Sequence, residues 1–296
     1  ERGLMKIRRR DQIAALGMGV VLAILCPVKV WAFDPWSNVN GYWISADGKS
    51  AVEGAVKKGV TITKYQNKAG KINWEEMSRD DVSFAMVRLG YYEDLDPYFE
   101  TNMLDAEKAK IDAGICFYSK AATVEEARKE AAYVLDIAKG YRVSYPISYE
   151  MDVQYAEEKK LTRPQLTQQA RAFCDTIEEA GYKVVIFGDN DWLTQNLELR
   201  KLPYDIWYSR YGMAHSFENR TLWRCTDRGT VQGVEGSVCL EFAFVNYRKI
   251  FPAAGWREIN GTMYYFRDYK MVRDTAVRIG DTVYFFDEKG NGRLSR

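Results

Sequence analysis

The run Tyr145-Pro146-Ile147-Ser148-Tyr149-Glu150-Met151-Asp152 decides how this chain is read. It predicts a strand that starts at Val143 and ends in two carboxylates. Side chains two apart on a strand share a face, with Cα atoms roughly 6.5 Å apart. Glu150 and Asp152 are therefore expected to face one space at the strand's carboxyl end, where parallel α/β folds keep their sites. A solvated acidic strand end would give the same letters, so the flanking segments carry the decision.

Working outward, strand and helix patterns alternate from Gly59. Val60 to Tyr65 reads as a strand, and a helix begins near Trp74. Ser83 to Tyr92 is a strand, and residues 96 to 112 form a helix entered at Asp96-Pro97. Ile115 to Ser119 is a strand, followed by a helix from Thr123 with Glu126 at capping-box spacing. Beyond the central stretch, Thr162-Arg163-Pro164 opens a helix that stops at Gly181, and Lys183 to Phe187 is a strand. Then the helices fade. Ile206 to Tyr211, Leu222 to Cys225 and Val238 to Val245 are strands joined by loops. Near-continuous apolar strands between amphipathic helices indicate a parallel sheet buried on both faces. The expected fold class is α/β, an irregular barrel of eight strands with helices missing from its last third.

The 296 residues are 47% hydrophobic, enough for one sizeable core and something small beside it. Net charge is +1, and residues 1–32 hold six basic and two acidic side chains, which leaves the remainder slightly acidic. No clustered basic face suggests a nucleic-acid partner. Lys6 to Arg10 followed by the 14 apolar residues Ile13 to Cys26 has the layout of an export signal, with cleavage expected after Ala32. An uncleaved anchor is the alternative, and it is the only membrane contact expected. Residues 33–58 carry Asn40-Gly41 and Asp47-Gly48 turn signals around Tyr42-Trp43-Ile44 and read as a short hairpin or linker. Cys116, Cys174, Cys225 and Cys239 show no C-x-x-C, and His215 is the single histidine, in a polar loop where it is solvated. No metal or cofactor is implied. Export permits a Cys225–Cys239 disulfide, but buried thiols are the preferred reading.

Seven ordered segments are similar to glycoside hydrolase family 25, the N-acetylmuramidase lysozymes. Gly59-Val60-Thr61-Ile62-Thr63-Lys64-Tyr65-Gln66 resembles the family's opening Gly-Ile-Asp-Val-Ser-x-Tyr-Gln strand, and Ile72-Asn73-Trp74 its Ile-Asp-Trp. Phe84 to Tyr91 resembles the second strand, and Asp96-Pro97-Tyr98-Phe99 with Asn102 the helix start after it. Tyr145 to Asp152 sits where the family has Pro-x-x-x-Asp-x-Glu. Trp223-Arg224-Cys225-Thr226, then Gly233 to Glu241, resembles the closing Trp-Gln-Tyr and Gly-x-x-Gly-x-Val-Asp-x-Asn segments. The resemblance spans about residues 59–248. It implies a TIM-type barrel with about five helices and hydrolysis of the muramic acid to glucosamine β-1,4 linkage of peptidoglycan. Two convergent carboxylates are the minimum for acid-assisted glycosidic cleavage.

The acidic set departs from that pattern. The first-strand Asp is Thr61, the last-strand Asp is Cys239, and the central pair is inverted as Glu150-x-Asp152. Inversion moves each carboxyl by about 1.5 Å, and a shift of about 1 Å can cost on the order of 10²-fold in rate. The sequence thus implies either a hydrolase with an altered site, carried by Glu150 and Asp152, or a silent barrel that holds glycan or a partner protein. Glu241, two residues beyond Cys239, is the nearest carboxylate able to replace the lost last-strand acid, and Asp189 is a second auxiliary candidate. Tyr65, Arg88, Tyr118, Tyr149, Trp207, Tyr211 and Trp223 are expected to line an aromatic cleft suited to sugar faces.

Residues 249–296 change character. Gly255-Trp256 to Phe266 and Ile279 to Asp287 repeat a turn followed by an aromatic strand about 20 residues apart. They resemble the choline-binding-like cell-wall-binding repeats of Gram-positive surface proteins. The resemblance implies a small β-hairpin tail that binds wall polymers and an envelope-associated protein, with a plain hairpin extension as the alternative.

Overall fold

The computed structural model describes residues 36–40, 42–45, 51–92, 94–212, 217 and 219–294. The expected export signal at residues 1–32 and His215 lie outside the described residues. Among those described, no helix is long and apolar enough to cross a membrane.

The chain opens with an antiparallel hairpin of β1 (Trp36–Val39) and β2 (Tyr42–Ser45). It then enters a closed barrel. β3 (Lys57–Ile62) is followed by α1 (Lys64–Ala69), α2 (Trp74–Arg79) and β4 (Val82–Tyr91), with the two-residue β5 (Asp94–Leu95) folded back onto the end of β4. Next come α3 (Phe99–Lys108), β6 (Asp112–Ser119), α4 (Val124–Ala138), β7 (Ile147–Met151), α5 (Val153–Glu158), α6 (Arg163–Glu179) and β8 (Val184–Gly188). A π-helical turn (Trp192–Asn196) and a 3-10 turn (Leu199–Lys201) lead to β9 (Asp205–Ser209), β10 (Arg220–Gly229), β11 (Val238–Ala243) and α7 (Tyr247–Ile250). The barrel order is β3-β4-β6-β7-β8-β9-β10-β11, closed by β11 against β3. Only α3, α4 and α6 are longer than six residues, and all three precede β8.

Local chemistry explains the long helices. Thr123 and Glu126 cap α4 reciprocally, and Thr162 with Gln165 does the same for α6, which also has a proline in its first turn. Ala127, Ala131, Val134, Leu135 and Ala138 form the buried stripe of α4. The helix at residues 96–112 is shorter than its pattern suggested, because Asp96 turns its carboxylate onto the backbone N–H groups of Lys64 and Tyr98 instead of continuing a helix.

Two strand expectations are corrected. The central strand begins at Ile147 rather than Val143, since Ser144 and Tyr145 both donate to the single Ala113 carbonyl and Pro146 has no N–H to give. β11 runs antiparallel to both neighbours, so the sheet is not wholly parallel. The connection from β10 spans only residues 230–237, too short for the crossover of a dozen or more residues that a parallel neighbour needs. No helix among the described residues covers that wall. The β1–β2 hairpin covers it, with Trp36 6.0 Å from Trp223 and 5.9 Å from Phe242, and Trp43 5.5 Å from Phe242.

Alternate residues of the strands fill the barrel. Phe84, Met86, Cys116, Val185, Trp207, Leu222 and Ala243 form its interior cluster, closed below by Tyr145 stacked on Phe84 at 4.4 Å. A Cβ at Gly59 would come within 2.5 Å of the Phe84 ring, so this layer requires glycine there. Outward residues join the larger core under the helices. No disulfide joins the cysteines among the described residues.

The tail forms two three-stranded antiparallel sheets, β12 (Gly255–Ile259), β13 (Thr262–Arg267) and β14 (Lys270–Met271), then β15 (Thr275–Ile279), β16 (Thr282–Phe286) and β17 (Gly292–Leu294). The first has a two-residue turn at Asn260-Gly261 with both φ positive, the twist that suits a tight hairpin. Buried Arg257 sits against Tyr182, Phe251 and Phe266, and Lys270 and Asp268 pair with Glu107 and Arg142 of the barrel. These partners lie at the amino ends of the strands, on the face away from Glu150. The second sheet packs on the first through Trp256, Tyr265, Tyr284 and Phe286.

Candidate active site

Glu150 lies on β7 opposite Tyr118 of β6, with its side chain inside the barrel mouth and only 7% exposed. Among the described residues its carboxylate makes no hydrogen bond within the protein. Burial pushes its pKa up, Arg224 and Arg88 pull it down, Glu241 adds to the rise, and the net shift is upward. A carboxyl placed in this way is held toward its neutral, proton-donating form.

Asp152 falls one residue past β7. Its Oδ1 accepts from the Tyr155 backbone N–H at 2.9 Å as the N-cap of α5, and its other oxygen accepts from the Tyr91 hydroxyl. Tyr91 packs, tilted, with its ring centre 5.4 Å from that of Tyr118, the neighbour of Glu150. The two acids therefore border the same mouth. Glu150 is unpartnered in the interior, whereas Asp152 is held on the rim.

Glu241 has the inward parity expected of it, but the antiparallel course of β11 puts it one layer below Cys239, opposite Gly59 and Arg224. It is fully buried and fully engaged. Arg224 Nε donates to its Oε1 at 2.9 Å, Thr61 Oγ1 donates to the same oxygen at 2.7 Å, and Trp207 Nε1 donates to Oε2 at 2.7 Å. Arg224 also donates to Thr61 at 2.9 Å and lies over the Phe187 and Trp207 rings. Burial raises the Glu241 pKa against the opposing pull of Arg224, and Glu241 in turn overrides burial to hold the Arg224 guanidinium more firmly protonated. Cys239, whose thiol burial pushes up to about 11, pairs with Thr61 across the strands. Thr61 and Cys239 thus sit together, next to the Arg224–Glu241 ion pair.

The remaining candidates divide. Tyr65, Arg88 and Tyr91 line a groove of about 340 Å³ with Lys64, Gly90, Asp94, Leu95 and Asp96. Tyr118 lies beneath Arg88, with the guanidinium carbon 5.1 Å from its ring centre. Tyr211 is an exposed residue just beyond β9. Trp207 is buried inside the barrel as a partner of Glu241, not as a sugar platform. Tyr149 and Trp223 point the other way. Tyr149 packs on Phe173 at 5.3 Å under the helices, and Trp223 packs under the β1–β2 hairpin with its indole N–H on the Arg210 carbonyl. Their odd numbering on strands whose inward residues are even puts them outside the barrel. Asp189 caps the turn at Trp192 at 2.8 Å and is an exposed rim residue.

Sequence reasoning missed Arg224 as an ion-pair partner, although it shares inward parity with Trp207 and faces Glu241 once a hairpin is drawn from β10 to β11. It also missed Tyr91. Glu130 on α4 was missed as well, since nothing local marks it. This carboxyl is pushed up to about 7 by burial, accepts from Ser119 Oγ at 2.5 Å and Lys120 N–H at 2.8 Å, and so ties down the turn that leaves β6 beside Glu150. Among the described residues no group of His, Cys, Asp and Glu could hold a metal ion.

A closed α/β barrel with buried acids at the carboxyl ends of its strands has the layout of a barrel hydrolase. The chain belongs to glycosyl hydrolases family 25, whose family model matches residues 60–234. The curated relative "Uncharacterized protein YegX" of Escherichia coli O157:H7 is 24% identical over 196 residues, or 61% of this chain; the match spans 66% of that relative, just under two thirds of its length. Among solved structures, the chain is similar to a family 25 glycosyl hydrolase from Bacillus anthracis, with TM-score 0.56 and 21% identity over 67% of this chain and 93% of that one. It is also similar to the bacterial lysozyme of Streptomyces coelicolor, with TM-score 0.55 and 18% identity over 66% and 95% of the two chains. The autolysin LytC of Streptococcus pneumoniae, solved with a synthetic peptidoglycan ligand, gives TM-score 0.56 and 21% identity over 70% of this chain and 57% of that one. At these identities the structures speak for the fold.

Proposed function

We propose that this protein binds peptidoglycan glycan strands across the mouth of its barrel and hydrolyses the muramic acid to glucosamine β-1,4 linkage. The single observation behind this reading is Glu150, a buried carboxyl without a hydrogen-bond partner among the described residues, its pKa raised by burial, within the field of Arg88, which lines an open groove. In the reaction Glu150 donates its proton to the leaving glycosidic oxygen. Asp152, held on the rim by Tyr91 and the α5 backbone, faces the positive charge that builds on the sugar ring. Tyr65 and Tyr91 present aromatic surface and hydroxyls to sugar rings. A protein with this role works outside the cell membrane, in line with the export signal read at the amino terminus, and the tail would hold it to wall polymers.

Incubation with purified cell walls is expected to release new reducing ends, and Glu150→Gln to abolish the release. Release that survives this substitution would overturn the assignment of the acid. The second reading, a barrel that holds glycan without cutting it, is favoured by one observation: the Arg224–Glu241 pair occupies the wall where an additional free carboxylate would otherwise stand. Saturable binding of muropeptides with no turnover is its signature.

A further inference from the structure

Two cations, Lys64 and Arg88, line the groove, a third, Lys120, lies over its Tyr91, and none is ion-paired among the described residues. Lys64 Nζ lies 5.8 Å from the centre of the Tyr65 ring, the Arg88 guanidinium 5.1 Å from Tyr118, and Lys120 Nζ 4.4 Å from Tyr91. Each is held over a tyrosine face rather than against a carboxylate. The acids nearby are otherwise committed: Asp96 accepts two backbone N–H bonds, and Asp152 accepts from Tyr91 and Tyr155. Asp94 stands exposed on the outer edge of the groove. Arg88 is the distinctive member. Its Nε–H is buried and has no hydrogen-bond partner, which is a costly state for a charged donor unless an acceptor arrives. Its strand parity aims it into the mouth, where its charge acts on Glu150.

We propose that Arg88, assisted by Lys64 and Lys120, forms a subsite for a carboxylate carried by the glycan bound in the groove. The proposal rests on the reading of this barrel as glycan-binding and adds to it the charge of the sugar that it selects. The guanidinium fork matches a planar carboxylate. Asp94 and Asp96 in the same groove disfavour a doubly charged phosphate more strongly than a singly charged carboxyl. Peptidoglycan offers such a group in two places, the lactyl arm of muramic acid once its peptide is removed and the free carboxyls of the stem peptide. If the lactyl arm is the ligand, an amide-bond hydrolysis that strips the peptide must precede binding at this site.

The test uses the full chain carrying Glu150→Gln, so that strands are bound and not consumed. Affinity is measured at low salt for intact peptide-bearing fragments, for strands stripped of peptide, and for stripped strands whose carboxyls have been converted to amides. Carboxylate-bearing strands are expected to bind about tenfold more tightly than the amidated ones. Adding Arg88→Gln should remove that difference, and Arg88→Lys should keep part of it. A preference for stripped strands assigns the lactyl carboxylate, and a preference confined to intact fragments assigns the peptide. Equal binding of all three ligands by the parent chain overturns the subsite while leaving the glycan reading intact. Failure to bind any of the three overturns both.

Discussion

Two glutamates inside one barrel have opposite environments. On the β10–β11–β3 wall, Glu241 is fully buried and receives hydrogen bonds from Arg224, Thr61 and Trp207. On the β6–β7 wall, Glu150 is almost as deeply buried and receives none from the described residues. Burial raises both pKa values. What separates them is compensation. A buried carboxylate held by three donors, one of them a guanidinium, is a structural element, while one that no donor holds is free to exchange a proton with whatever enters the groove. Thr61 and Cys239, paired across β3 and β11, both lie on the compensated wall.

The strongest way to break this contrast is Glu150→Gln. Loss of a positioned general acid costs about 10²–10⁴-fold in rate, so turnover on purified peptidoglycan should fall by that much while the fold is kept. The same variant tests the electrostatics. Because the folded-state pKa of Glu150 is raised, the folded protein holds this proton more tightly than the unfolded chain. Stability from this group is therefore greatest below its unfolded pKa and declines as pH rises through the folded one. Urea unfolding at several pH values should show a shallower decline for Glu150→Gln, and an unchanged slope would remove the claim that Glu150 is desolvated. On the kinetic side, activity should be lost as pH rises and the acid gives up its proton.

Arg224→Met probes the other wall and should act on stability. Removing one partner of a buried pair typically costs about 3–5 kcal/mol, whereas replacing both partners with apolar residues is often close to neutral. Denaturant midpoints of Arg224→Met and of the double variant Arg224→Met/Glu241→Leu should differ accordingly. A single variant as stable as the parent would mean that Glu241 is not confined as described.

Glu130→Gln should give a smaller effect, confined to pH dependence. With a pKa raised from 4.5 to about 7, Glu130 makes stability fall as pH rises through that interval. The variant should flatten the part of the profile near neutrality that Glu150→Gln leaves behind. Smallest of all is Tyr91→Phe, which takes one hydroxyl from Asp152 and leaves the Tyr155 N–H in place. The expected loss of stability is about 1 kcal/mol, with a several-fold fall in turnover. A drop as large as that of Glu150→Gln would shift the acid's role toward Asp152.

Much of the barrel was legible because its signals are local. Capping residues at Thr123 and Thr162, apolar strands of five to ten residues and the loss of long helices after β8 all reside in contiguous sequence. The tail's repeated turns were legible for the same reason. The place of Glu150 near the carboxyl end of its strand was legible too, since strand parity and a position near a strand's end are one-dimensional facts. Asp152 was only half readable: its parity matched Glu150, but the strand ended at Met151 and the residue became a helix cap.

Tertiary structure alone decided which charges meet. Arg224 and Glu241 are 17 residues apart and become partners only because β11 turns back against β10; Thr61 joins them from 180 residues away because the barrel closes. The same closure brought Arg88 of β4 within the electrostatic reach of Glu150 on β7. Sequence determines periodicity, because each side chain's direction is set by its own backbone. Compensation of a buried charge depends on atoms a few ångströms away in space, and those are supplied by distant parts of the chain once the strands have found their register.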